Sequence, residues 1–170
     1  MTGRAAILGL GDRGRRWADA CRHAGWEVAG FDPDDRAGQG LQGDKAWHRE
    51  QTISGTVKGA DWVICCLPER LELMRTVIQR AQAAAPEQAV IAVASRSFDI
   101  DEVQGCAIRP AQVVRVTEGS DGGLTLDLNA RTHPELRDAA TETLSGLAAV
   151  MSLSPDEGKH SQPKAPSKEA

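Results

Sequence analysis

Gly9-Leu10-Gly11-Asp12-Arg13-Gly14 follows directly on the apolar run Ala5-Ala6-Ile7-Leu8 and leads into a stretch of helical periodicity. Nothing else in the chain restricts its fold so closely. A strand that turns through G-x-G-x-x-G into a helix brings the backbone within reach of a diphosphate. Gly9 permits the tight turn, Gly11 lets the diphosphate approach, and Gly14 lets the helix pack close to the strand. The first N–H groups of such a helix have no acceptor within it and face whatever anion lies before them.

A second apolar segment ends Val28-Ala29-Gly30-Phe31-Asp32, placing Asp32 18 residues beyond Gly14. An acid there is positioned to hold the hydroxyls of an adenosine ribose and to repel a 2′-phosphate, which favours NAD over NADP. Arg36, just past the acid, is the residue that could meet a 2′-phosphate instead. Asp12 sets a negative charge beside the expected pyrophosphate, and Arg13, Arg15 and Arg16 are placed to offset it.

The rest of the chain alternates short apolar runs with longer amphipathic ones, the pattern of an α/β Rossmann-type doubly wound, mostly parallel sheet with helices on both faces. Strands are expected over 4–8, 27–31, 62–67, 88–93, 112–116 and 124–128. A first helix is expected from Asp12 to about Ala24, with Trp17, Cys21 and Ala24 on its inner face and Gly25 ending it. A second is expected to begin at Pro68, bury Leu71, Met74, Val77 and Ile78, and stop before Pro86. A short one starts near Asp99. A last one follows Thr132-His133-Pro134-Glu135, read as a Thr cap with an acid three residues on, and carries Leu136, Ala140, Leu144 and Leu147 inward. The domain is expected to occupy 1–153, and the proline-rich polar stretch 154–170 to be a disordered tail.

Composition narrows the function. A net charge of −4 argues against a nucleic-acid surface, and no apolar run is long enough to span a membrane. The start has too short an apolar stretch for a signal peptide, so the expected location is cytoplasmic. Four cysteines without a CxxC pair predict neither a disulfide framework nor a metal site, and Cys65-Cys66 read as small buried hydrophobes. The histidines (23, 48, 133 and 160) stand in settings that suggest no catalytic role, and there is no tyrosine.

The middle of the chain, Gly59-Ala60-Asp61-Trp62-Val63-Ile64-Cys65-Cys66-Leu67-Pro68-Glu69, resembles the fourth strand and following turn of the 3-hydroxyacyl-CoA dehydrogenases. The similarity runs on through 90–97, 100–103 and Arg109-Pro110-Ala111-Gln112-Val113-Val114. The resemblance implies an NAD-binding N-terminal domain. Gly9, Leu10, Gly11, Asp12, Arg13, Gly14 and Asp32 hold the dinucleotide, and Leu67, Pro68 and Glu69 form the turn that passes the nicotinamide ribose.

The family's catalytic features do not carry over. Its general-base histidine falls on Thr117, which cannot perform that proton transfer near neutral pH. The acid that orients the histidine falls near Asp127 or Asn129, and the substrate-contacting serine falls on Arg96, between Ser95 and Ser97. Residues 33–59 are too few for the family's coenzyme A arm, and the chain turns polar after residue 150, where the family's helical second domain would begin. No catalytic residue is therefore assigned.

Three readings stay open. One is an oxidoreductase for a hydroxy acid or hydroxyacyl-CoA, completed by a second copy or a partner chain that supplies the missing domain. Another is a non-catalytic NAD-binding, regulatory module. The third is a fold that has lost its cofactor site.

Overall fold

The computed structural model describes residues 3–41 and 45–153. Its element order is β1 (Arg4–Leu8), α1 (Asp12–His23), β2 (Glu27–Phe31), β3 (Trp47–Arg49), α2 (Ile53–Val57), β4 (Trp62–Cys65), α3 (Leu71–Ala84), β5 (Val90–Ala94), α4 (Ile100–Gln104), β6 (Val113–Glu118), β7 (Leu124–Asp127) and α5 (Pro134–Leu153). The strands form one sheet in the order β3-β2-β1-β4-β5-β6-β7. All pairings are parallel except β6 with β7. This is the Rossmann-type arrangement expected. The strand order reverses between β1 and β4, so the crevice where an open sheet takes its ligand lies at their carboxyl ends.

β4 and β5 are buried at every residue, as Trp62-Val63-Ile64-Cys65 and Val90-Ile91-Ala92-Val93-Ala94 must be when helices cover both faces. One core lies under α1 and α5 and joins Ile7, Trp17, Val28, Ile64 and Leu144. The other lies under α2, α3 and α4 and joins Leu8, Val63, Met74, Ile78 and Ile91. Alternate residues of β1 and β4 supply the two cores, the period-2 rule of a strand buried on both sides.

Several expectations need correction. The second major helix begins at Leu71, not Pro68, because Pro68-Glu69-Arg70 is spent on a tight turn with the Arg70 N–H on the Pro68 carbonyl at 2.7 Å. Thr132 does not cap α5. Its hydroxyl accepts from the Asn129 N–H at 3.1 Å, and His133 Nδ1 takes the Glu135 N–H at 3.3 Å. Pro134 leaves no N–H to satisfy at that first helical position. β3 and α2 add to the expected elements. β3 is three residues long and α2 five, too short for a periodicity to register. The inner faces of α1 and α5 stand as read: Trp17, Cys21, Leu136, Ala140, Leu144 and Leu147 are buried. The expected tail, 154–170, lies outside the described residues, as does His160.

Candidate functional site

α1 has no side-chain cap at its N-terminus. Its first internal hydrogen bond runs from the Arg15 N–H to the Gly11 carbonyl at 2.9 Å, which leaves the N–H groups of Asp12, Arg13 and Gly14 without helical acceptors. The short helices α2 and α4, by contrast, are capped by Thr52 and Asp99. The open end of α1 borders a cavity of about 690 Å³ lined by the glycine loop, Phe31, Asp32, the turn Cys66–Pro68, and residues of α2 and α3. The partial positive charge of a helix terminus thus faces a hollow large enough for a nucleotide.

The glycines are required by contact as well as by pattern. A Cβ on Gly14 would stand 1.7 Å from the Gly9 carbonyl oxygen. A Cβ on Gly9, whose φ is +97°, would stand 2.2 Å from the Cys66 carbonyl oxygen. A Cβ on Gly11 meets nothing within 4 Å, so the backbone there is bare towards the cavity. Gly9 and Gly14 hold strand, turn and helix together, while Gly11 leaves space for something outside the chain.

Asp32 follows β2 directly, at the lip of the same cavity. Its Oδ2 accepts the Leu10 N–H at 2.8 Å and its Oδ1 accepts the Asp34 N–H at 2.8 Å. The carboxylate therefore braces the glycine loop and keeps further lone pairs for a ligand's hydroxyls. Arg36 turns away. It pairs with Asp34 at 3.2 Å and its side chain is 86% exposed. That hydrogen-bonded pairing holds the Asp34 carboxyl below its ordinary range. Arg49 is a residue that sequence reasoning missed. It donates to the backbone carbonyls of Ala37, Asp32 and Asp34 and so shapes the loop after β2. Its only signal in the sequence was one arginine in an unassigned segment.

The expectation that Arg13 and Arg16 offset Asp12 is not met. Arg13 donates to the Leu67 carbonyl at 3.0 Å and pairs with Glu69 at 3.5 Å, while Arg16 pairs with Glu118 at 2.9 Å. Both guanidiniums serve the other side of the crevice. Glu69 also accepts the Ser95 hydroxyl at 2.8 Å and the Arg96 N–H at 3.0 Å. Partial burial pushes the Glu69 carboxyl up, but the donated hydrogen bonds and Arg13 outweigh it, leaving the carboxyl below its ordinary value.

Thr117 lies near the end of β6, opposite Thr125 of β7. The nearby acid is already engaged, since Arg115 pairs with Asp127 and also donates to the Ser95 carbonyl at 3.1 Å. Asn129 donates to Asp101 at 2.7 Å and Gln104 at 2.6 Å. None of the histidines among the described residues joins the crevice: His23 bonds the Asp19 carbonyl, His48 sits 3.8 Å from Glu27, and His133 caps α5. Among the same residues no group of three or more His, Cys, Asp or Glu is arranged to hold a metal, and no helix is long and apolar enough to cross a membrane.

The model of the 3-hydroxyacyl-CoA dehydrogenase NAD-binding domain matches residues 45–116. The L-carnitine dehydrogenase/betainyl-CoA thioesterase of Ruegeria pomeroyi is 29% identical over 84% of this chain, and the match spans 34% of that protein. The L-carnitine dehydrogenase of Streptomyces coelicolor is 27% identical over 65% of this chain and 41% of its own length. The chain therefore spans well under half the length of these curated relatives. Among solved structures, the (S)-3-hydroxybutyryl-CoA dehydrogenase of Ralstonia eutropha superposes with a TM-score of 0.76 at 17% identity, over 85% of this chain and 60% of that one. At that identity the likeness is one of fold.

Proposed function

We propose that the glycine loop and Asp32 of this chain, whose residues 45–116 match the NAD-binding domain of the 3-hydroxyacyl-CoA dehydrogenases, form a working dinucleotide site. The observation that carries the proposal is the uncapped N-terminus of α1, whose bare Gly11 opens onto the cavity that Asp32 borders. The pyrophosphate would lie against Gly9, Leu10, Gly11, Asp12, Arg13 and Gly14, accepting from the free N–H groups. Asp32 would take the adenosine ribose hydroxyls. With its carboxylate at that position and Arg36 committed to Asp34, NAD is preferred over NADP. Leu67, Pro68 and Glu69 edge the nicotinamide side. NAD, when bound, would supply hydride chemistry, and the glycine loop and Asp32 would hold its adenosine diphosphate.

The test is a titration of the four tryptophans' fluorescence with NADH and, separately, NADPH. Saturable NADH binding with weaker NADPH binding is the expected result; no response to either overturns the proposal.

For turnover, the reading favoured by Thr117 and by the Arg115–Asp127 pair is a binding module that does not run the family's reaction alone. The purified chain is expected to form no NADH from NAD with L-carnitine or a 3-hydroxyacyl-CoA. NADH formation would establish the oxidoreductase reading and send the search for a base elsewhere in the chain. If the reaction does run in the cell, a second copy or a partner chain would supply the base and the cover. Four unpaired cysteines, with Cys106 exposed, fit a reducing compartment such as the cytoplasm.

A further inference from the structure

The crevice of a doubly wound sheet has two halves, one over each side of the strand-order switch, and a dinucleotide ordinarily lies across both. Here the halves differ. The cavity of about 690 Å³ runs from the β1–β2 side to the turn Cys66–Pro68 after β4, with apolar walls from Phe31, Ile53, Leu73 and Val77, an acid at Asp32, and free helix N–H groups. An adenine ring, a ribose and a diphosphate find a wall, an acceptor and donors there.

On the β4–β6 side the polar groups are turned on each other. Arg13 joins the Leu67 carbonyl and Glu69, whose oxygens are further engaged by the Ser95 hydroxyl and the Arg96 N–H. Arg16 closes on Glu118, and Arg115 on Asp127. Between Arg13, Ser95, Arg96, Thr117 and Glu118 a void of only about 10 Å³ remains. That is close to the least that accommodates one water, and far short of a ring with its carboxamide. The Glu118 side chain is 8% exposed, and its Oε1 has no partner beside this small void.

We infer that this chain grips its ligand through the adenosine diphosphate half alone, so that ADP-ribose is bound as well as NAD and the nicotinamide end stays in solvent. The inference rests on the dinucleotide reading above. To seat the nicotinamide inside, the Arg13–Glu69 link would have to open, leaving two partly buried charges to find new partners. The ligand class is therefore adenosine diphosphates extended at the terminal phosphate.

Calorimetric titration of the full chain with NAD, ADP-ribose and nicotinamide mononucleotide tests this. NAD and ADP-ribose are expected to bind with dissociation constants within about threefold of each other, with no saturable binding of nicotinamide mononucleotide. NAD binding about tenfold or more tighter than ADP-ribose overturns the inference and leaves the dinucleotide reading standing. So does competition by nicotinamide mononucleotide. Failure of all three ligands to bind overturns both. The emission of NADH gives an independent readout. Its reduced ring is expected to keep its free-solution spectrum when bound, and a blue-shifted, enhanced emission would place the ring inside and refute the inference.

Discussion

Gly11 and Gly14 are three residues apart and respond oppositely to one added methyl group. At Gly14 the methyl would run into the Gly9 carbonyl, backbone that cannot turn aside, so Gly14→Ala is expected to cost about 1–3 kcal/mol or more in denaturant unfolding. At Gly11 the methyl enters open space, and Gly11→Ala costs at most about 1 kcal/mol through the poorer N-cap residue. Its effect falls on the ligand: NADH affinity is expected to drop while the melting temperature hardly moves. Glu69 makes a prediction in pH. Its carboxyl titrates lower in the folded chain than in the unfolded one, so the stability it contributes is fully present above about pH 4.3 and fades as the pH falls through the folded value. Glu69→Gln is therefore expected to be less stable than the parent at neutral pH. It should also lose stability less steeply below about pH 4 in acid-titrated thermal melts.

Elements with long or fully buried apolar patterns are legible in the sequence itself. α1, α3 and α5 repeat every three or four residues, and β4 and β5 are uninterrupted apolar runs. α5 shows what such a stripe is worth. Leu144 is buried against α1 and the sheet, and Leu144→Ala is expected to cost about 2–5 kcal/mol, read from denaturant midpoints. Hidden from the sequence is whatever depends on partners distant along the chain. β3 exists because Trp47 lies over Gly30, where a Cβ would stand 2.2 Å from the indole, and no local pattern announces that pairing. The start of α3 is misplaced by sequence reasoning because Pro68 suits a helix start and a turn equally, and the turn is settled by contacts Glu69 makes with Ser95 and Arg96. The same holds in the site. The glycine spacing and Asp32 can be read directly, whereas the diversion of Arg13 and Arg16 to Glu69 and Glu118 cannot. Those pairings join residues up to 102 positions apart.

At the scale of the whole molecule, the cysteines report how tightly the layers close. Burial pushes the Cys21 and Cys65 thiols up to about 12, and the Cys66 thiol is raised for the same reason, while Cys106 is exposed. A thiol reagent at pH 8 is expected to modify Cys106 rapidly in the native chain and all four after denaturation, since only the thiolate reacts. Rapid native modification of Cys65 would mean that the sheet opens far more readily than its packing allows.

β1, made first, sits in the middle of the sheet. Its neighbours are β2 and, across the reversal in strand order, β4, whose Trp62–Cys65 pair with Ala5–Leu8. During synthesis the first apolar strand must therefore wait, one edge unpaired, until the ribosome has delivered more than fifty further residues. The glycine loop can take its final form only afterwards, because Gly9 packs against the Cys66 carbonyl. Assembly of the crevice is thus a late event in the life of each new chain. Until then the chain depends on slow, long-range pairing, and its exposed strand is open to aggregation or to a chaperone.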